Sequence, residues 1–212
     1  MARFQWRERV AQFWNATVGR LVPRLAVDRV ADVVIDASQA QEWARLAANG
    51  DMDVAAWHQA MREEIRRNVI EQYLAGRGGT GPMTAREYGS CGGMIADQYR
   101  FLDRFAEQLA RGEVSEGQAA NRARMYINSA REARERAKER AAEAAGFEEV
   151  RWVEDPRPDV DHCTGEPGCI ELAAMGWQPA RPWPFRRGRT KLYPGSGGTP
   201  CLTSCRCHAE YR

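Results

Sequence analysis

The chain has 212 residues, 43% hydrophobic and 28% charged, enough for one medium domain or two small ones and too little for a large multidomain enzyme. No stretch approaches the roughly 18 uninterrupted apolar residues of a membrane span, and Met1–Arg9 carries charges where a secretion signal would need an apolar core. With 31 basic and 29 acidic residues the net charge is +2, too balanced to announce a nucleic-acid binder.

Apolar residues at Trp6, Val10, Phe13, Trp14 and Leu21 recur at helical spacing, and Pro23 closes that segment. A second helix is expected from about Val27 to Ala48, ended by the C-cap pair Asn49-Gly50. A third begins after an N-cap at Asp53 and carries Trp57, Met61, Ile65, Val69 and Tyr73 on one face. The glycine-rich run Gly76–Pro82 then breaks the pattern and marks a boundary. It lacks the Gly-Lys-Ser/Thr of a phosphate loop, so it reads as a hinge.

Thr84 with Glu87 forms a capping box for a helix carrying Tyr88, Ile95, Tyr99, Leu102, Phe105 and Leu109. After Arg111-Gly112-Glu113 a second capping box, Ser115 with Gln118, opens a helix of up to 30 residues, about 45 Å at 1.5 Å per residue. Beyond Ile127 its apolar positions are alanines (Ala130, Ala133, Ala137, Ala141, Ala144) among charges that pair as Glu132–Arg136 and Glu135–Lys138. An alanine stripe buries too little area to hold a helix on its own domain. The expectation is either a solvated face or an arm that another helix approaches in an assembly.

Past Gly146 the composition changes. Glu149–Val153 alternates like a strand, and eight of the ten prolines fall between Pro156 and Pro200. A short helix at Ile170–Met175 and a terminal strand ending at Tyr211 are the regular elements expected there. So loop-rich a tail needs a staple. Five of the six cysteines are in it: Cys163 and Cys169, then after 31 residues Cys201, Cys205 and Cys207. Two thiol groups separated by a loop are the layout of a structural zinc site, in which four thiolates fill a tetrahedral shell and leave no open position for catalysis. The preferred set is Cys163, Cys169, Cys201 and Cys205. Cys207 is the reserve, because in an extended strand it faces the same way as Cys205. Disulfides and free thiols are the alternatives. The fold class expected is mainly α: a helical region over 1–82, a helical hairpin over 83–146, and a small metal-stapled module with short strands over 147–212.

Trp152-Val153-x2-Asp155, His162-Cys163, Cys169-Ile170-Glu171-Leu172, Thr199-Pro200-Cys201 and Cys205-Arg206-Cys207-His208 together resemble the C-terminal module of phage head morphogenesis (minor head) proteins. The helices before it match in style, with Gln98-Tyr99-x2-Leu102-x2-Phe105-Ala106, Ser115-x2-Gln118 and Arg122-Ala123-x-Met125-Tyr126, so the resemblance covers about residues 84–212. It implies a non-enzymatic virion protein of a tailed phage or prophage, made in the host cytoplasm. Such a protein docks at the portal or major capsid protein during head assembly or genome delivery, within a multi-subunit assembly and in reach of packaged DNA.

Two other functions have sequence features of their own. Trp177, Trp183 and Phe185 with Arg186, Arg187, Arg189 and Lys191 form an aromatic-then-basic stretch suited to a zinc-stabilised nucleic-acid binder, although the tail as a whole balances nine basic against nine acidic residues. Gly89-Ser90-Cys91-Gly92-Gly93 has the pattern of a nucleophile elbow, which would make a cysteine hydrolase. It falls inside an expected helix, where glycines around a small buried cysteine would instead permit close helix packing.

Overall fold

The structure is a computed structural model that describes residues 35–78, 82–157 and 163–212. The helix expected around Trp6–Leu21, the start of the second helix and His162 lie outside these residues.

Among the described residues five α-helices come first: α1 (Ser38–Asn49), α2 (Val54–Gly76), α3 (Ala85–Ala110), α4 (Glu116–Asn128) and α5 (Ala130–Ala144). Their ends follow the local chemistry. Gly50 closes α1 at φ +88°, a conformation that costs a residue without Cβ little. The Asp53 carboxylate accepts the Ala56 N–H at 2.9 Å at the start of α2. Both capping boxes form, Thr84 with Glu87 and Ser115 with Gln118. Trp57, Met61, Ile65, Val69 and Tyr73 of α2 are all buried, in one core with Ala40 and Ala44 of α1, Leu102, Phe105 and Leu109 of α3, and Ala119, Ala123 and Ile127 of α4. Trp57 meets Phe105 edge to face at 5.4 Å between centroids. Tyr88, placed by its spacing on the apolar face of α3, is exposed instead.

The long helix expected over 116–145 is interrupted at Ser129. The Ser129 hydroxyl donates to the Tyr126 carbonyl at 2.6 Å, and Ser129 accepts the Glu132 N–H in a tightened turn. The first three alanines of the α5 stripe are neither a solvated face nor a free arm, while Ala141 is half-buried and Ala144 exposed. Ala130, Ala133 and Ala137 are buried in the helical core, with α5 against α2. Close approach replaces large side chains: a Cβ on Gly76 of α2 would stand 2.1 Å from the Arg134 carbonyl oxygen and 2.9 Å from the Ala137 Cβ. Backbones this near gain dispersion contacts that area bookkeeping on alanines misses. Gly76→Ala is therefore expected to force the two helices apart and destabilise the chain by about 1–3 kcal/mol. Chemical denaturation checks this, and an unchanged midpoint would refute the tight seam.

The C-terminal module is built on a three-stranded antiparallel sheet. β1 (Glu149–Val153) lies at its centre, with β2 (Gln178–Pro179) and the last strand, β5 (His208–Tyr211), on either side. The register pairs Val150 with Tyr211 and Trp152 with Ala209. A short helix α6 (Cys169–Ala174), a small hairpin of β3 (Arg186–Arg187) and β4 (Thr190–Lys191), and a 3₁₀ turn at Leu202–Ser204 complete it. The proline-rich tail has more interior than its composition suggests. Trp152, Leu172, Trp183, Phe185, Leu192 and Tyr193 form a second core with the buried cysteines. Trp183 stacks on Tyr193 at 4.9 Å and donates its indole N–H to the Leu192 carbonyl at 2.9 Å.

α5 joins the two cores, since its last buried alanine, Ala142, belongs to the second. Its buried pair Glu135–Lys138 lies along the outer edge of β5. The Ala209 N–H donates to Glu135 at 2.9 Å, and Lys138 donates to the Ala209 carbonyl at 3.4 Å. The outward backbone groups of Ala209 at the sheet edge are thereby satisfied and screened from pairing with other chains.

Candidate metal centre

Two loops bring the tail sulfurs together. The first runs from Cys163 to the N-terminus of α6. Its five-residue span closes because the Glu171 carboxylate accepts the N–H groups of Gly168 at 3.0 Å and Gly165 at 3.4 Å. A Cβ on Gly168 would stand 2.5 Å from the Cys163 carbonyl oxygen, so the wide Cys-x5-Cys spacing depends on glycine there. The Cys169 N–H donates to the Cys163 sulfur at 3.3 Å. The second loop follows Thr199, whose hydroxyl lies 3.3 Å from the Cys201 sulfur, and makes the 3₁₀ turn that returns Cys205 to the cluster. Leu202 in that turn has φ +52°, a left-handed strain that a branched side chain accepts only where its surroundings impose it. The loops touch where Gly165 packs on the Pro200 ring.

The sulfurs form two overlapping triads, Cys163–Cys169–Cys201 and Cys169–Cys205–Cys207. Within each, all ligand atoms lie within 4.8 Å of one another. Cys169 belongs to both. Its Sγ is 3.6 Å from that of Cys201 and 3.5 Å from that of Cys205. At a metal–sulfur distance of about 2.3 Å the edge of a tetrahedron of thiolates is about 3.8 Å, against about 2.05 Å for a disulfide bond. Both separations are near that edge and well outside a bond, so each triad can offer three sulfurs to an ion, and the preferred set takes the three of the first triad with Cys205 from the second. Cys169, Cys205 and Cys207 are buried, whereas Cys163 and Cys201 are partly open to solvent. Cys207 shares a triad with Cys205, although both precede the strand, which begins at His208.

The thiols also act on one another. Hydrogen bonds from Cys169 and Cys205 hold the Cys201 thiol well below the ordinary range, while the bond to Cys201 pushes Cys169 far up. One thiolate can be accommodated by neighbouring thiols. Several side by side in a buried site require a cation. The clustered cysteines could hold a metal ion.

The other sequence-flagged residues fall elsewhere. Cys91 lies inside α3, buried, with its thiol pushed up to about 11 by that burial, which is the reverse of an activated nucleophile. Gly89, Gly92 and Gly93 face open space, so they do not serve close helix packing. The aromatic–basic stretch is no stacking platform, because Trp183 and Phe185 are buried in the second core. Lys191 pairs with Glu139 at 2.9 Å, and Arg186 and Arg187 donate to the carbonyls of Trp183 and Glu166. Trp177 takes the guanidinium groups of Arg151 and Arg212 over its ring at 4.7 and 4.4 Å. Sequence reasoning missed the role of Glu171, although it stands three residues after Gly168 at capping distance. No described helix is long and apolar enough to cross a membrane.

Comparison of the chain with family models, curated proteins and solved structures finds no match.

Proposed function

We propose that this chain is a structural component of a tailed-phage or prophage particle. It is a minor head protein that docks at the portal or major capsid protein during head assembly or genome delivery, and its C-terminal module is held by a structural zinc ion. The observation that carries this reading is the convergence of the tail cysteines. The motif elements that resemble minor head proteins lie together: the Trp152 strand pairs with the strand that follows Cys205-Arg206-Cys207, and both ligand loops meet beside them.

Zinc suits an all-thiolate tetrahedral donor set, and a shell closed by Cys163, Cys169, Cys201 and Cys205 leaves no position for substrate. When bound, the ion supplies cohesion rather than reactivity. The chain's own residues position the ligands: Glu171 closes the first loop, Thr199 and the 3₁₀ turn shape the second, and Gly165 against Pro200 joins them.

The test is assembly. The chain is co-expressed with the portal and major capsid proteins of a tailed phage, and particles are purified and quantified by mass spectrometry. The expected result is a few copies per particle that co-purify with the portal ring. Particles that form without the chain bound would overturn the docking role. Steeply salt-dependent binding of the isolated chain to DNA would favour nucleic acid as its partner instead.

A further inference from the structure

One cation stands beside the sulfur cluster without belonging to it. Arg131, in the first turn of α5, donates from its guanidinium to the Cys205 carbonyl at 2.5 Å, across 74 residues of chain. Its stem is held from the other side. Gly195, at φ +77°, lies so close that a Cβ there would stand 2.7 Å from the Arg131 Cβ and 3.4 Å from its Cδ. A side chain at Gly195 would be strained by its backbone and blocked by the arginine, so the loop is shaped around Arg131.

The charge around it is uneven. Burial is what chiefly disfavours the charged guanidinium, the like charges of Arg206, Arg134 and Arg157 act in the same direction, and Cys205 acts against them. Arg157 is itself bonded to Asp155. Arg131 itself donates to a neutral carbonyl. A divalent ion with four thiolates carries a net charge of about −2, which a guanidinium beside it complements. Groups outside the ligand set that orient ligands and balance their charge tune metal affinity by about 10–100-fold.

We propose that Arg131 is a positioning residue for the metal centre: it fixes the Cys205 loop on α5 and neutralises the thiolate cluster, so that metal occupancy and the seating of the C-terminal module on α5 are coupled. This rests on the reading of the cysteines as a metal site and goes beyond it by naming the link between that site and the helices. A metal-free chain would seat its module less firmly on α5, because Arg131 would then lie beside a cluster with fewer thiolates.

Three substitutions in the full chain separate charge from geometry. Arg131→Met removes both charge and donor, Arg131→Gln keeps a donor, and Arg131→Lys keeps the charge. Affinity for zinc alone is measured by competition with a chromophoric chelator, alongside thermal unfolding with and without the metal. Arg131→Met should weaken zinc binding by about 10–100-fold, with Arg131→Lys closest to wild type and Arg131→Gln between them. The stabilisation that zinc confers should shrink in the same order. A purely structural residue would lower the unfolding temperature of metal-free and metal-loaded chains equally, with affinity unchanged, and that result overturns the proposal. If Arg131→Met fails to fold, Lys against Gln decides, and equal affinities refute the charge role. Wild-type chain that takes up no zinc fails the metal reading itself, a different outcome from wild type that binds zinc while the variants match it.

Discussion

Cys169→Ser is expected to abolish stoichiometric metal binding and unfold the C-terminal module while leaving the helices standing. Cys169 is the one sulfur shared by both triads and is buried, so no other ligand can move into its place without opening the core. A serine hydroxyl stays protonated at neutral pH and is a poor ligand for an ion that selects thiolates. The loss of affinity should exceed the about 100-fold upper range of changes made outside a ligand set. Because metal-binding energy is folding energy for such a module, on the order of 10 kcal/mol in small zinc domains, its tertiary structure should go with it. Elemental analysis of purified protein should read one zinc per chain for wild type and none for the variant. Near-ultraviolet dichroism should lose the signal of packed Trp152 and Trp183, while far-ultraviolet helix content persists, since α1–α4 keep their own core. Cys207→Ser, outside the preferred set, should retain the metal. Acidification should mimic Cys169→Ser, because protons compete with the ion for thiolates and release it as pH falls. A Cys169→Ser chain holding zinc as tightly as wild type would refute the site.

What the sequence disclosed was local. The buried face of α2 and all three side-chain caps could be read because periodicity and capping act within a few residues. The paired cysteine groups could be read as a site because metal ligands must converge whatever path the chain takes between them. The interior of the module was hidden. Trp183 and Phe185 looked like contact residues because Arg186 and Arg187 follow them, yet their alternation with Pro184 and Arg186 is a period-two signal for burial. The break at Ser129 could not be seen, because alanine, glutamate and arginine favour helix on both sides of it. The seating of α5 was beyond reach for another reason. What lets its alanines work is Gly76, on a helix separated from α5 by two others in the chain. Glu135 and Lys138 were legible as an i, i+3 pair, but the strand that buries them lies more than 70 residues onward.

That buried pair carries the second large effect. Glu135 and Lys138 lie 3.2 Å apart with side chains 5% and 7% exposed, and between them they satisfy the outward N–H and carbonyl of Ala209. Lys138→Met keeps much of the side chain's volume but leaves the Glu135 carboxylate buried without its cation and the Ala209 carbonyl without its donor. Breaking one half of such a pair costs about 3–5 kcal/mol, which in a chain of this size lowers the melting temperature by about 6–20 °C. Glu135→Gln is milder, since the amide oxygen still accepts from Ala209 and Lys138 retains its bond to the carbonyl. The double variant Glu135→Gln/Lys138→Met should be more stable than Lys138→Met alone, because the stranded charge is gone. The strand has a second vulnerability. With the clamp removed, β5 presents unpaired backbone groups at a sheet edge, so Lys138→Met should also associate at concentrations where wild type does not. Thermal unfolding of the four chains in a double-mutant cycle, with light scattering alongside, measures both. A Lys138→Met chain that melts within about 2 °C of wild type would mean that α5 does not hold the terminal strand through this pair.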